Sequence, residues 1–300
     1  MRAETHTELY RRYRGELRPQ ALRWWPLLAA GVKTASKRKL PLLLLFIPVA
    51  ITTIVYSFIV YGKYAAEDVT QNMGGIRGMA ALFAQRAMVN IRVAEQIADA
   101  NHTMRLFALL AVAWYGAGVL AEDRRLGAHL LYFARPLTRL DYFLGKFLTV
   151  AFFGALASLV PGLFICLVAA WSSPKWSFIR EESDVLWQTC AYASIWIVVT
   201  SSLVLLASSL VQRKTLALAG VFGFFVLNHA LGEVLGAADG RYKAVSLMYD
   251  INKLRSAIFG LPGAEVADFG VDTAAYVMAG LVIATLAVVA RRIAKLEVVG

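Results

Sequence analysis

Residues 147–171 read FLTVAFFGALASLVPGLFICLVAAW and contain no Asp, Glu, Lys, Arg or His. A helix needs roughly 20 mostly apolar residues to cross the hydrocarbon core of a bilayer, and this run is longer than that. Because unpaired backbone polar groups are costly in lipid, and because the run lacks the alternation of a β-barrel strand, it predicts a membrane-spanning helix. This stretch therefore indicates a helical, membrane-embedded fold.

Five further apolar runs of similar character accompany it along the chain. They cover Leu40–Tyr61, Arg105–Ala121, Leu186–Val211, Thr215–Leu235 and Val271–Ala290. Of the 300 residues, 59% are hydrophobic and 17% are charged, whereas soluble proteins have about 45–50% and about 25%. The same composition excludes a disordered chain and a disulfide-stapled secreted domain. We predict an all-α polytopic membrane protein with six transmembrane helices.

The distribution of basic residues predicts the orientation of these helices. The formal net charge is +11, from 31 Lys and Arg against 20 Asp and Glu. Twenty of the basic residues lie in the two termini and in the loops on the same side, and ten lie in the alternate loops. Because cytoplasmic loops accumulate Lys and Arg, both termini are predicted to be cytoplasmic. Since the membrane orientation accounts for the excess of basic residues, no nucleic-acid partner is expected.

The apolar runs divide the chain into a membrane domain, residues 40–290, and two cytoplasmic tails, residues 1–39 and 291–300. Within residues 18–39, Trp24 and Trp25 stand among Leu, Lys and Arg, which favours an interfacial helix on the membrane surface over a solvated basic tail. The longer extracytoplasmic loops are predicted at 62–104 and 236–270. The first should hold an amphipathic helix over 79–100, and the second should hold turns around a short helix.

Searches for catalytic and metal-binding motifs are negative. The two Gly-Lys pairs, at Gly62 and Gly145, lack the preceding Gly and the following Ser or Thr of a Walker motif. The four His residues show no metal-ligand spacing, and no Cys-x-x-Cys pair or nucleophile elbow occurs. We therefore expect no catalytic residue, no metal and no cofactor bound by this chain, and we expect that it is not an enzyme.

Polar residues are sparse within the predicted spans, and the clearest are Asn228, His229 and Glu233 in the fifth. Ionisable groups inside a membrane are candidates for function. A neutral His229 that hydrogen-bonds to a neighbouring helix is the plainer interpretation.

The connection between the second and third runs, residues 122–146, carries an amphipathic pattern. Leu126, Leu130 and Phe133 recur at spacings of four and three, which places them on one face of a short helix. Pro136 disfavours helical geometry at Arg135, so this helix is expected to end there. A helix with exposed apolar and basic residues is suited to docking in a groove of another protein, and the alternative is a connector that lies on the membrane surface.

The following residues predict the start of the next helix. Thr138 is an N-cap candidate, and Asp141 three residues later completes a pattern that resembles a capping box. The connection should therefore consist of a short helix, a basic break and a new helix that enters the membrane.

These residues resemble the cytoplasmic region of ABC-2 type transporter permeases. The resemblance rests on a series of features in order along the chain. An acidic residue follows the second span, and after it come a Gly, a hydrophobic run and the pair Arg-Pro. A Ser or Thr followed by Arg comes next, and Leu-Gly-Lys precedes the third span. The matching positions are Glu122, Gly127, Leu130–Phe133, Arg135–Pro136, Thr138–Arg139 and Leu144–Lys146. The six spans, inside termini, interfacial helix and late outer loop are also similar to that family, so the resemblance covers nearly the whole chain. The chain departs at Ala128, where the family often has a hydroxyl residue, and in the long 62–104 loop, which leaves the cargo open.

The resemblance implies the permease subunit of an ABC exporter, multi-pass in a bacterial inner membrane. A separate ABC ATPase subunit would hold ATP and Mg and would dock at residues 122–146, which we name the coupling region. Two copies of this chain, or this chain and a homologous permease, would form the translocation path. The candidate ATPase contacts are Glu122, Gly127, Leu130, Phe133, Arg135, Pro136 and Arg139.

Two alternatives from other classes stay open. An ion-coupled secondary carrier usually has inverted repeats and broken, charged spans, and the sequence shows no convincing internal repeat. A non-transporting membrane scaffold would need no energy source at all.

Overall fold

A computed structural model of the chain describes residues 22–37, 39–72, 92–128, 137–261 and 268–295. Every regular element in these ranges is a helix. In chain order they are α1 (Trp25–Ser36), α2 (Lys39–Asn72), α3 (Val93–Gly116), α4 (Ala121–Arg125), α5 (Arg139–Ala157), α6 (Leu159–Ser172), α7 (Ser177–Glu181), α8 (Asp184–Leu210), α9 (Lys214–Gly236), α10 (Leu247–Phe259) and α11 (Val271–Ala294). Short 3-10 helices cover Pro174–Trp176 and Gly240–Val245.

In the described ranges, six helical stretches are long and apolar enough to cross a membrane. These stretches, which we call spans one to six, are Pro41–Ala66, Val93–Arg125, Arg139–Ser172, Asp184–Leu210, Lys214–Gly236 and Val271–Ala294. Each overlaps one of the six predicted apolar runs. The predicted fold class and number of spans are therefore confirmed.

The helices around the first connection reach further than the apolar runs indicate. Helix α2 continues to Asn72 and α3 begins at Val93, so the helices occupy much of the predicted 62–104 loop. Residues 93–100 were predicted to end a separate amphipathic helix, and they instead form the first turns of span two. Their apolar side chains explain this difference, because Val93 and Ile97 are fully buried inside the bundle. Residues 79–91 of that predicted helix lie outside the described residues.

Span three consists of two helices that meet at Ser158. The backbone of Ser158 leaves helical geometry, with φ −132° and ψ −55°. Pro161 follows three residues later and has no N–H to donate to the carbonyl of Ala157, which accounts for the break at this point. The two helices still form one span, because α6 begins at Leu159, directly after the break.

The core of the bundle lies around span four. Helix α8 contacts spans two, three, five and six and also helix α10. Trp196 is almost completely buried there, and its indole Nε1 donates a hydrogen bond to the carbonyl of Arg105 at 2.8 Å. Spans one, five and six expose most of their surface, as expected for helices that face lipid or another subunit.

Helix α1, the described parts of the coupling region (122–128 and 137–146) and the end of span six share one end of the bundle. Helix α1 packs on span three so closely that a Cβ atom on Gly145 would lie 2.7 Å from Cβ of Leu27. Arg139 at the start of span three donates a hydrogen bond to the carbonyl of Ala294 at the end of span six. We call this the basic end, after its surplus of Lys and Arg, and we call the opposite end the far end.

The far end carries the turns and the short helix predicted within residues 236–270. A 3-10 helix, Gly240–Val245, precedes α10, which ends at Gly260 with the left-handed φ of 58°. Helix α10 packs against α8, α11 and α3. It therefore covers the ends of several spans.

Candidate functional site

The first part of the coupling region is helix α4, which is capped by a side chain of span four. The backbone N–H groups of Leu120 and Ala121 both donate to Oγ of Ser208, each at 3.0 Å. The first N–H groups of a helix have no partner within the helix and need one elsewhere. Ser208 supplies it and thereby attaches the start of α4 to the end of span four.

Beside this cap, two guanidinium groups share one acceptor in span four. The carbonyl oxygen of Ser209 accepts a hydrogen bond from Arg124 of α4 and another from Arg292 of span six, the latter at 3.0 Å. The end of span two, the end of span four and the end of span six therefore meet at one backbone atom.

A partly buried ion pair joins α4 to the start of span three. Lys146 Nζ lies 2.6 Å from Asp123 Oδ2, and the two side chains are only 12% and 14% exposed. The hydroxyl of Tyr142 donates a second hydrogen bond to Asp123 Oδ2 at 2.8 Å. Because a carboxylate with two partners has little freedom, helix α4 and the start of span three are held relative to each other.

Glu122 and Gly127, two of the predicted contact residues, lie in this assembly. The carboxyl group of Glu122 is half-buried, and a Cβ atom on Gly118 would lie 3.1 Å from it. Gly127 adopts a φ of 65°, in the left-handed region that favours glycine. The chain therefore turns sharply after α4 instead of continuing as one helix through Leu126.

Glu122 lines a cavity of about 210 Å³ between α1 and spans two, three and five. Lys214, at the start of span five, also lines it and lies over the ring of Trp114 with its Nζ 4.6 Å from the ring centre. The cavity therefore has charges of both signs, an aromatic wall and the small residues of α1 at its side.

The second half of the coupling region begins with the predicted capping box, which is confirmed. Oγ1 of Thr138 accepts a hydrogen bond from the N–H of Asp141, and Oδ2 of Asp141 accepts one from the N–H of Thr138, both at 3.1 Å. Arg139, a predicted contact residue, donates to the carbonyl of Ala294.

Four predicted contact residues, Leu130, Phe133, Arg135 and Pro136, lie outside the described residues, and the predictions for them stay predictions.

The three polar residues of span five meet at the far end, where they hold the chain that follows. Nδ2 of Asn228 donates to the carbonyl of Val245 at 2.6 Å, and its Oδ1 accepts from the N–H of Leu247 at 2.9 Å. Nδ1 of His229 lies 3.1 Å from Oγ of Ser246. These contacts attach the start of α10 to span five.

Glu233, the third of these residues, has two partners. It accepts a hydrogen bond from the hydroxyl of Tyr249 and lies 3.8 Å from Nε2 of His229. The hydrogen bond to this carboxylate stabilises the neutral phenol and raises the pKa of Tyr249. Among the described residues, the ring nitrogens of His229 therefore contact Ser246, which precedes α10, and Glu233 of its own helix.

Several residues that build these two ends were not singled out from the sequence. They are Asp123, Arg124, Tyr142, Ser208, Ser209, Asp250 and Arg292. The partners of all of these except Asp250 lie on other helices, and the burial of Asp250 depends on other helices too, so no local pattern indicates them. Helical spacing gives one signal, since Tyr142 and Lys146 stand four residues apart on one face.

Asp250 of helix α10 is fully buried, and neither of its carboxylate oxygens has a hydrogen-bond partner among the described residues. Burial raises the pKa of Asp250 to about 8, because an ionised carboxylate is disfavoured away from water. Burial therefore favours the neutral form of this carboxyl group.

Within the described part of the chain, no three His, Cys, Asp or Glu side chains come together in a way that could hold a metal ion. The chain matches no protein-family model, and no curated protein matches it. What is inferred about its function therefore rests on its own residues and their arrangement.

Proposed function

We propose that the protein is the membrane-spanning subunit of an ATP-binding-cassette exporter, driven by a separate ATPase subunit that docks at the coupling region. The basic end faces the cytoplasm in this proposal, in agreement with the loop charges. The sequence resemblance between residues 122–146 and ABC-2 permeases is one support, and the six apolar spans are compatible with it.

The observation that carries the proposal is the way the coupling region is attached to the bundle. Asp123 binds Tyr142 and Lys146 of span three, while Arg124 and Arg292 meet at the carbonyl of Ser209 in span four. A partner that pushes on this region therefore acts on spans two, three, four and six together. An element that passes mechanical work from an ATPase into a membrane bundle needs this rigid attachment.

The proposed mechanism is a two-state equilibrium of the membrane bundle. ATP binding closes the pair of ATPase subunits, and closure changes their contacts with the coupling regions of two permeases. A partner shifts such an equilibrium only by the difference between its affinities for the two states. Glu122, Arg135 and Arg139 would supply polar contacts, and Leu130 and Phe133 an apolar anchor.

The first prediction concerns the docking of the ATPase. The tagged full-length chain, extracted in mild detergent, should retain a protein that hydrolyses ATP. The variants Arg135→Glu and Phe133→Ala should each lower the retained ATPase activity at least tenfold, because loss of a hot-spot residue costs about 2 kcal/mol or more, and about 1.4 kcal/mol corresponds to tenfold. Membrane insertion should be unchanged. The measurement is ATPase activity per mole of purified chain.

The control is Arg241→Glu, which reverses an exposed charge at the far end and should leave the retained activity unchanged. If Arg135→Glu and Phe133→Ala retain as much ATPase activity as Arg241→Glu, the result contradicts docking at the coupling region. Full transport activity of the purified chain alone in vesicles contradicts the need for an ATPase and favours an ion-coupled carrier. Labelling of the variant Leu130→Cys at position 130 by a reagent outside the cell contradicts a cytoplasmic coupling region.

A further inference from the structure

A second cavity at the basic end has a different chemistry from the one beside α1. It has a volume of about 290 Å³ and lies where spans two, four and six end. The described residues that line it are Leu120, Arg124, Tyr142, Ser209, Arg292, Ile293 and Lys295. The volume is close to the lower limit of ligand sites, which is roughly 300 Å³.

The charged side chains among the described lining residues all have one sign. Arg124, Arg292 and Lys295 contribute three cations, and none of the described lining residues carries a carboxylate. Asp123 contacts the lining through the hydroxyl of Tyr142, and its charge is paired with Lys146 at 2.6 Å. The cavity therefore has a positive potential that the described neighbouring groups do not neutralise.

Two of the cations are held together against their mutual repulsion. Arg124 and Arg292 approach each other because both donate to the carbonyl oxygen of Ser209. Like charges repel. A backbone carbonyl offsets only part of this repulsion, whereas a bound anion between the two guanidinium groups would convert it into attraction.

The kind of anion follows from the donors. A guanidinium group has five N–H donors in a planar fork, so one hydrogen bond to Ser209 leaves donors for a ligand. Such forks match the oxygens of a phosphate group. Leu120 and Ile293 add apolar walls next to the charged groups, and the cavity lies at the ends of membrane spans, where lipid headgroups lie.

We propose that this cavity binds a phosphate group, and that its source is the headgroup of an anionic phospholipid from the leaflet at the basic end. Basic pockets between transmembrane helices are suited to acidic headgroups. The bound phosphate joins the ends of spans two, four and six and stabilises the attachment of α4. This site requires no ATPase, so its test is independent of the proposed function.

The test uses the purified, delipidated full-length chain in detergent and follows its thermal unfolding. Three probes are titrated in parallel: phosphatidylglycerol, phosphatidylcholine and inorganic phosphate. Phosphatidylglycerol should stabilise the protein saturably, and phosphatidylcholine should do so less, because its choline cation is repelled by the lining. In Arg292→Gln the apparent dissociation constant for phosphatidylglycerol should rise at least tenfold, as expected for loss of a charged hydrogen-bonding partner.

Two further variants separate the charge of the site from other effects. Arg291→Gln is the matched control, because Arg291 is the adjacent cation on the same helix and does not line the cavity; its affinity should equal that of the wild type. Arg292→Gln also disturbs the hydrogen bond to Ser209, so Lys295→Gln tests the charge alone. Lys295→Gln should weaken binding several-fold while both arginines stay in place.

Each outcome decides the proposal. Saturable stabilisation by phosphatidylglycerol that Arg292→Gln and Lys295→Gln weaken and Arg291→Gln does not supports the lipid site. Saturable stabilisation by inorganic phosphate with the same dependence, without a preference for phosphatidylglycerol, supports the phosphate site and rejects the lipid source. Equal loss in all three variants indicates diffuse surface charge and overturns the proposal. So does the absence of saturable stabilisation by any of the probes.

Discussion

Asp250 provides a quantitative test of the packing at the far end. Its side chain is fully buried in α10, and both carboxylate oxygens lack a hydrogen-bond partner in the described chain. Burial raises the pKa of Asp250 from 3.8 to about 8. The folded protein therefore keeps a proton that the unfolded chain releases above pH 4, and its stability should fall as the pH rises from 4 to 8.

The magnitude follows from this difference in pKa. One pK unit corresponds to about 1.4 kcal/mol, so the free energy of unfolding should fall by about 1.4 kcal/mol for each pH unit in this window. Between pH 4.5 and pH 7.5 the loss that Asp250 causes is about 4 kcal/mol. The variant Asp250→Asn cannot ionise at this position, so its free energy of unfolding should lack this dependence on pH. As the pH rises from 4.5 to 7.5, the variant should therefore gain about 4 kcal/mol of stability relative to the wild type.

The assay is denaturant unfolding of the detergent-purified protein at a series of pH values. The control is Asp272→Asn, which changes an exposed carboxylate at the start of span six and should leave the wild-type slope in place. Identical slopes for wild type and Asp250→Asn between pH 4.5 and 7.5 would refute the reasoning, since they would mean that Asp250 is ionised and has a partner in the folded state.

Two further predictions concern the attachments at the two ends. At the basic end, Lys146→Met leaves Asp123 without its cation and should lower the unfolding free energy by about 3 kcal/mol; the double variant with Asp123→Asn should recover part of this loss, and a fully stable single variant would speak against the pair. At the far end, Asn228→Ala leaves the N–H of Leu247 without its partner, which should cost about 1–3 kcal/mol. Faster hydrogen exchange at the start of α10 would show this, and unchanged protection there would contradict it.

Local patterns account for much of the fold. Uninterrupted apolar length predicts the six spans because a bilayer imposes that length directly on the sequence. The capping box at Thr138 is predicted because both partners lie within one helical turn. The bounds of span two are predicted less well: residues 93–100 have the composition of a surface helix, yet Val93 and Ile97 are buried by neighbouring helices.

The candidate site is only partly visible in the sequence. Glu122, Gly127 and Arg139 were singled out, and all three lie at the basic end in the structure. The interactions that fix the coupling region were not predicted, because Asp123 and Arg124 contact partners on spans three and four. The spacing of these partners along the chain carries no periodic signal.

The sequence by itself determined the membrane class, the number of spans and the local start of the helix at Thr138. These properties depend on the length of apolar runs and on neighbouring residues, which can be read directly. Only the tertiary structure decided that Arg124 and Arg292 share one carbonyl and that Asp250 is buried without a partner. The physical reason is that these environments arise from side chains far apart in the chain, which the packing of helices brings into contact.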